Sequence, residues 1–167
     1  MLDAAAQSIK LRQHLPSMVL IYTLVDTLAW ASSSKQGSSV RKSFEGWVSK
    51  WMLPELSNVS PRLTATDLYA ARCGALHTLT ASSDLNELGK AKKLAYAWGT
   101  ASPQALDDVF AASGAAGKIV TVHYEALLEA LRNGYERLIA SAANDPVLKQ
   151  RLENAAGEHF MTFSVDP

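Results

Sequence analysis

The sequence predicts an all-α protein, folded as a bundle of six to eight helices. Three observations support this class. Apolar residues recur every three or four positions through most of the chain, and turn residues separate these periodic segments. Hydrophobic residues make up 48% of the sequence and charged residues 19%, a composition typical of folded proteins. With 167 residues, the chain can bury a substantial core. We therefore assign residues 1–160 to a single all-α domain and residues 161–167 to a flexible C-terminal tail.

Caps and breakers set the predicted helix boundaries. The first helix closes at Pro16, because the residue before a proline avoids helical dihedral angles. Ser17 and Ser83 are N-caps of the helices that follow them, Pro103 suits a first helical position, and Gly99 suits a helix end. The predicted helices span residues 3–14, 17–33, 40–52, 67–77, 84–99, 102–112, 119–143 and 144–156.

Two segments have a second interpretation. The β-branched run KIVTVH, residues 118–123, favours the start of a long helix but is compatible with a short strand. In the helix 40–52, bulky residues form one face, which is typical of a core-facing stripe and less often of a surface that stacks nucleobases. The residues of this stripe are Val40, Phe44, Trp47, Val48 and Trp51.

The charge balance limits the classes of partner. Sixteen basic residues match sixteen acidic residues, so no global field attracts the chain to nucleic acid or to anionic membrane. Any contact with RNA must then be local. Lys90, Lys92 and Lys93 form a compact basic cluster, which is either a solvated helix face or an RNA-binding patch.

The N-terminal region favours a cytoplasmic protein with no membrane segment. Residues 1–31 contain an apolar run after two basic residues, as a signal segment would, but Asp3 and Asp26 do not fit that pattern. Pro16 and Asp26 also leave fewer uninterrupted apolar residues than the ~20 that a bilayer requires. Cys73 is the only cysteine, so the chain has no intramolecular disulfide.

The stretch DLYAARCGALH, residues 67–77, combines a fixed cation with a titratable imidazole in a packing helix that Thr64 or Thr66 caps. On an ideal helix Arg72 and His77 lie about 140° apart, so within one straight helix they point to different places. Across a two-fold axis, however, Arg72 of one chain meets His77 of the other. We therefore expect a homodimer formed through this helix.

The pattern Arg72-x-x-x-x-His77 on an inner helix of a small all-α domain resembles the HEPN superfamily. The architectural resemblance covers roughly residues 5–143, and the motif covers six residues. The position after the family's arginine is usually polar, whereas this chain has Cys73. Some members carry a tyrosine two residues after the histidine, where this chain has Leu79.

The resemblance implies a dimeric, metal-independent endoribonuclease of the toxin–antitoxin or phage-defence type, with RNA as substrate and an antitoxin-like protein as partner. Arg72 and His77 would be the catalytic residues, with Asp67, Asp26 and Cys73 in supporting roles. No cofactor is implied. His14, His123 and His159 have no ligand spacing with one another, so we expect no metal site.

Two alternatives stay open at this stage. Arg72 could pair with Asp26 or Asp67 purely for stability, while His77 interacts with the helix C-terminus. The chain could also be a non-enzymatic HEPN-like module that binds a protein partner, RNA or a nucleotide. A nucleophilic Cys73 with His77 as its base is conceivable at this spacing, but the sequence offers no third orienting group.

Overall fold

A computed structural model describes residues 1–33 and 39–158, and these form nine α-helices and one two-stranded parallel sheet. The polar segment of residues 32–39 is predicted as a loop, and its residues 34–38 lie outside the described residues, as does the predicted tail of residues 161–167. The helices are α1 (Leu2–Lys10), α2 (His14–Ser32), α3 (Val40–Trp51), α4 (Leu53–Leu56), α5 (Ala65–Cys73), α6 (Asp84–Glu87), α7 (Pro103–Phe110), α8 (Tyr124–Asn144) and α9 (Pro146–Glu158). The strands are β1 (Lys93–Ala97) and β2 (Ile119–His123). The mostly helical class is thus confirmed, although the described residues exceed the predicted six to eight helices and include a small sheet.

Helices α2, α3 and α8 supply much of the core. Ile21 and Tyr22 of α2 and Leu127 of α8 are almost fully buried. The bulky face of α3 packs into this core, which confirms the packing interpretation of the stripe rather than a stacking surface. Phe44, Trp47, Val48 and Trp51 are buried, and Val40 is exposed.

Helix α2 begins at His14, three residues before its predicted cap. Pro16 lies inside the first turn, where the proline's missing N–H has no intrahelical partner to lose. The Ser17 hydroxyl donates to the His14 carbonyl oxygen at 2.7 Å instead of capping the helix. The break between the first two helices therefore lies before Pro16, between Lys10 and His14, and not at Pro16 as predicted.

By length and composition, α2 is one helix of the described chain that could cross a membrane, with a mean hydropathy of 1.3. Core helices of soluble proteins and N-terminal signal sequences meet the same criterion. In this fold its residues Ile21, Val25 and Ala29 are buried against other helices.

The predicted helix over residues 84–99 is wrong. Ser83 does cap a helix, but α6 lasts only one turn and the chain then turns at Gly89, whose φ is +65°. The Asn86 amide donates to the carbonyl oxygens of Ala91 and Lys92, which holds this turn. Residues 93–97 then form β1, because pairing with a distant strand outweighs their local helical propensity.

The predicted helix start at residue 119 is wrong: residues 119–123 form a strand, which was the alternative interpretation, and α8 begins immediately after it. Strands β1 and β2 pair in parallel from Lys93–Ile119 to Ala97–His123, and α7 forms part of the crossover that parallel pairing requires. The buried carboxylate of Asp107 accepts from the Thr121 N–H at 2.8 Å and from the Arg62 guanidinium at 2.6 Å. This contact fixes the crossover helix against β2.

Candidate functional site

A π turn connects the two residues of the Arg-x4-His motif. After Cys73, α5 continues as a π turn over Gly74–Thr78, in which the Leu79 N–H donates to the Gly74 carbonyl oxygen five residues earlier. This wider turn rotates His77 back over the face that carries Arg72. Arg72 Nη1 lies 2.7 Å from His77 Nε2 within the same chain. The divergence expected for a straight α-helix is therefore avoided, because the helix distorts at Gly74.

Tight packing of the following loop accompanies the π turn. A Cβ atom at Gly74 would lie 2.6 Å from the Thr80 carbonyl oxygen and 3.0 Å from that of Ser82. Only glycine tolerates this approach of backbone to backbone. Leu79 closes the turn with a left-handed φ of 53°. Gly74 is thus required where the chain folds back on itself beside the motif.

Asp26 of α2 holds the Arg72 guanidinium. Arg72 Nε and Nη2 lie 2.7 and 2.6 Å from Asp26 Oδ2, and only 12% of the Arg72 side chain is exposed. Burial alone would lower the pKa of Arg72, but the hydrogen bond and charge of Asp26 leave that pKa above its usual value. Asp26 and Asp67 were the carboxylates predicted to support Arg72, and Asp26 is the one that binds it.

The permanent charge of Arg72 determines how His77 is protonated in this contact. A guanidinium carries only donors, so a hydrogen bond to it requires an imidazole nitrogen with a free lone pair. His77 Nε2 is then the acceptor, and the proton of the neutral ring is on Nδ1. His77 itself is exposed to solvent. The acceptor nitrogen of this exposed imidazole is thus occupied by Arg72 until another acceptor takes its place.

Tyr69 and Arg41 extend this group of side chains toward α3. The Arg72 and Arg41 guanidinium carbons lie 5.9 and 5.8 Å from the centroid of the same Tyr69 ring. Burial raises the pKa of Tyr69, and the charge of Cys73 and a hydrogen bond to its thiol add to this effect. Cys73, predicted as a supporting residue, is partly buried and directly follows Arg72, and its thiol influences the pKa values of Tyr69 and Arg72. We call Asp26, Tyr69, Arg72, Cys73 and His77 the Arg–His cluster.

Asp67 and Lys92 lie elsewhere and contact each other. The buried Asp67 carboxylate accepts from Lys92 Nζ at 2.9 Å and from the Lys92 N–H at 2.6 Å. Lys92 Nζ also donates to the Arg62 carbonyl oxygen. The ammonium group of Lys92 is thus committed to the fold, which argues against its role as an RNA ligand. Lys90 and Lys93 are exposed.

Sequence reasoning missed Tyr69, a member of the Arg–His cluster, and Arg41, which contacts Tyr69. Tyr69 precedes Arg72 by three residues, a helical spacing that could have placed them together. Arg41 has no such signal, since it approaches only through the packing of α3 on α5. Among the described residues, no group of three or more His, Cys, Asp or Glu side chains could hold a metal ion.

The chain was compared with protein-family models, with curated proteins and with solved structures. No family model, no curated protein and no solved structure matches it. Its function must therefore be argued from the Arg–His cluster and its surroundings.

Proposed function

We propose that this chain is a HEPN-like, metal-independent endoribonuclease in which Arg72 and His77 form the reaction centre. The observation that supports it most directly is the 2.7 Å contact between the guanidinium and the exposed imidazole. A cation and a neutral imidazole side by side are what cleavage by a ribose 2′-hydroxyl needs. The cytoplasm, where RNA substrates occur, is the proposed location.

The chemistry begins with an exchange of partners at Arg72. The substrate phosphate replaces His77 as the acceptor of Arg72 Nη1, while Asp26 keeps hold of Nε and Nη2. This exchange frees the lone pair of His77 Nε2, which takes the proton of the 2′-hydroxyl. The 2′-oxygen attacks phosphorus, the bond from phosphorus to the 5′-oxygen breaks, and the protonated His77 gives its proton to the leaving oxygen, which restores the neutral ring. The products are a 2′,3′-cyclic phosphate and a 5′-hydroxyl.

The partner residues have distinct roles in this scheme. Arg72 stabilises negative charge on the phosphate, and His77 transfers the proton, a role typically worth about 10²–10⁴-fold in rate. Asp26 is a positioning residue, since it contacts Arg72 and reaches the phosphate only through it. Tyr69 adds a cation–π contact to the guanidinium.

The substitution His77→Gln separates catalysis from structure. Glutamine offers a side-chain oxygen that can accept from Arg72 but cannot shuttle a proton. We expect wild-type protein to cleave single-stranded RNA in the presence of EDTA, with His77→Gln and His77→Ala both inactive. Product ends are identified by phosphorylating the new 5′-hydroxyl with labelled ATP and a polynucleotide kinase. Full activity in His77→Gln, or cleavage of the same strand made with 2′-deoxyriboses, would contradict the scheme.

A homodimer remains part of the proposal, although the contact within one chain removes the geometric need for it. Exposed Leu15 and Leu79 border an apolar pocket of about 170 Å³ on the neighbouring face of the same helix and turn. Leu79→Asp suits the left-handed backbone there and places a charge on that face. Light scattering should show twice the 18.0 kDa chain mass for wild type and a monomer for this variant. A monomeric wild type would contradict the dimer.

A non-enzymatic module is the second candidate, and one observation favours it. All three guanidinium nitrogens of Arg72 already have partners within the chain, as in a purely structural tie between α2 and α5. This candidate predicts that no RNA is cut and that a protein, in the manner of an antitoxin, or intact RNA binds. In cells, growth arrest on expression that His77→Gln relieves would favour the nuclease. Growth arrest unchanged by that substitution would favour the module.

A further inference from the structure

A groove of about 440 Å³ lies where α2, α3, α8 and α9 meet. Its charged wall residues are Lys42 and Lys50 of α3, Arg151 of α9, and Asp145. The buried ring edges of Trp47 and Trp51 complete much of the remaining wall. We call this surface the basic groove.

The three cations of the basic groove form no ion pair with any described residue. Within residues 1–33 and 39–158, the ion pairs involve other side chains and leave Lys42, Lys50 and Arg151 without a carboxylate. Lys50 Nζ lies 4.5 Å from the centroid of the Trp51 ring, which holds the ammonium at the groove. With Asp145 counted, the groove carries a net charge of about +2 in a chain whose net charge is zero.

Trp47 provides a second, independent observation. Its side chain lines the groove, only 4% of the residue is exposed, and its Nε1 has no acceptor among the described residues. A buried N–H without an acceptor is unfavourable, and such groups are rare in folded proteins. Because Nε1 is itself shielded from solvent, a ligand oxygen would supply the missing acceptor only with a small opening of the groove wall on binding.

The remaining polar groups of the wall are already engaged. Asp145 Oδ1 accepts from the N–H groups of Val147 and Leu148 at 3.0 Å, so this carboxylate caps α9. The hydroxyls of Ser32 and Ser33 donate to backbone carbonyl oxygens of their own helix. The second Asp145 oxygen and the serine oxygens can still accept, but the groove has three cations against one carboxylate, which suits an anionic ligand.

We propose that the basic groove binds the phosphate groups of a nucleotide, either in a strand of RNA or free. Phosphate oxygens are acceptors only, carry negative charge and match lysine and arginine side chains. The volume accommodates a ligand of nucleotide size. This site differs from the Arg–His cluster and from the lysines at 90–93, and binding there does not depend on RNA cleavage.

The groove lies close to the Arg–His cluster along α2. Groove residues Ala29 and Ser33 follow Asp26 by three and seven positions, which is about 4.5 and 10.5 Å along the helix axis. Ser33 also lies within about 20° of Asp26 around that axis. A single strand bound at the groove would therefore extend toward Arg72.

Binding is tested on the full chain carrying His77→Gln, so that RNA is held and not cut. The probes are a fluorescein-labelled 12-nucleotide RNA, ATP and inorganic phosphate, followed by anisotropy or by tryptophan fluorescence. We expect the triple variant Lys42→Gln, Lys50→Gln, Arg151→Gln to lose at least about tenfold in affinity. For RNA, the slope of log affinity against log salt should fall by about 2, since single strands contribute ~0.7 per phosphate contact.

The matched control is Lys149→Gln, which removes one cation from α9 at an exposed position outside the groove. Its affinity should stay within about twofold of the parent, since a rim charge away from the ligand contributes little. The double variant Lys42→Gln, Arg151→Gln keeps the Lys50–Trp51 contact and provides the same test if the triple variant does not fold. Trp47→Phe removes the indole N–H and should weaken binding with an unchanged circular dichroism spectrum.

The probes also distinguish the source of the phosphate. Binding of RNA without ATP assigns the groove to a strand, and binding of ATP that competes with RNA assigns it to a free nucleotide. Binding of none of the three probes, or an equal loss in Lys149→Gln, would overturn the site. If the wild-type protein binds RNA but does not cleave it, only the nuclease proposal is overturned.

Discussion

The two ends of α5 each carry a carboxylate–cation pair, and the two pairs differ in how much hydrogen-bonding capacity remains free. At the N-terminal end, Thr64 and Asp67 form a reciprocal capping box, and Asp67 also binds Lys92. Both Asp67 oxygens have hydrogen-bond donors, and only 2% of its side chain is exposed. At the C-terminal end, Asp26 uses one oxygen for Arg72, and its Oδ1 has no donor among the described residues.

This difference separates a structural pair from a candidate reaction centre. A saturated, buried pair has no group to offer a ligand, and its removal leaves an uncompensated charge. Arg72, by contrast, shares its Nη1 with an exposed imidazole that a substrate phosphate can replace. The same residue types on one helix thus serve different purposes, according to burial and unused hydrogen-bonding capacity.

Removing the saturated pair should have the largest effect on stability. Asp67→Ala removes the cap of α5 and leaves the Lys92 ammonium without its carboxylate, so we expect the free energy of unfolding to fall by about 3–5 kcal/mol. Urea denaturation followed by circular dichroism measures this change. The control Asp108→Ala alters an exposed carboxylate and should cost under about 0.5 kcal/mol. Equal losses in the two variants would remove the distinction between the pairs.

The π turn should be the next most sensitive feature. Gly74→Ala places a Cβ against the carbonyl oxygens of Thr80 and Ser82, so the turn must shift at a cost of about 2 kcal/mol. That shift should also separate Arg72 from His77 and lower any RNA cleavage. Thermal denaturation and a cleavage assay report the two effects.

Gly46→Ala is the matched control for the glycine substitution. Its Cβ would have no atom within 4 Å, and Gly46 lies inside α3, so alanine should raise stability by about 0.5–1 kcal/mol. A destabilised Gly46→Ala, or a neutral Gly74→Ala, would show that close backbone approach does not fix the π turn.

The two ends of α5 were also unequally predictable from sequence. The N-terminal end depends on a local signal, a threonine three residues before an aspartate, and Thr64 was one of the two predicted caps. The contact between Arg72 and His77 depends on the π turn, and that turn depends on backbone packing between Gly74 and residues 80–82. Sequence periodicity assumes a regular helix and therefore placed the two side chains about 140° apart.

The same contrast explains the sheet. Residues 93–97 follow a helical pattern locally and become a strand only because β2 pairs with them across 26 positions of sequence. The lysine cluster was affected by the same limit, since Lys92 meets Asp67 only in the folded chain. The caps at Thr64 and Ser83 were thus predictable from local sequence, whereas the strands and the partners of the charged side chains were not.

Asp26→Asn should lower stability less than Asp67→Ala or Gly74→Ala does. Its effects on function are opposed, because it removes a negative charge beside Arg72 and also loosens the position of the Arg72 guanidinium. Asp26→Asn keeps an oxygen that accepts from Arg72, but it weakens a charge-assisted hydrogen bond. It also leaves an amide N–H near the buried Oδ1 position. We expect the free energy of unfolding to fall by about 1 kcal/mol. Removing the carboxylate also leaves Arg72 uncompensated, so RNA should bind more tightly to this variant in anisotropy measurements. Cleavage by it should nevertheless slow by about tenfold or more, because the guanidinium is no longer held in place. If binding and cleavage fall together, Asp26 holds the fold and does not position Arg72, and the contrast between the two ends of α5 disappears.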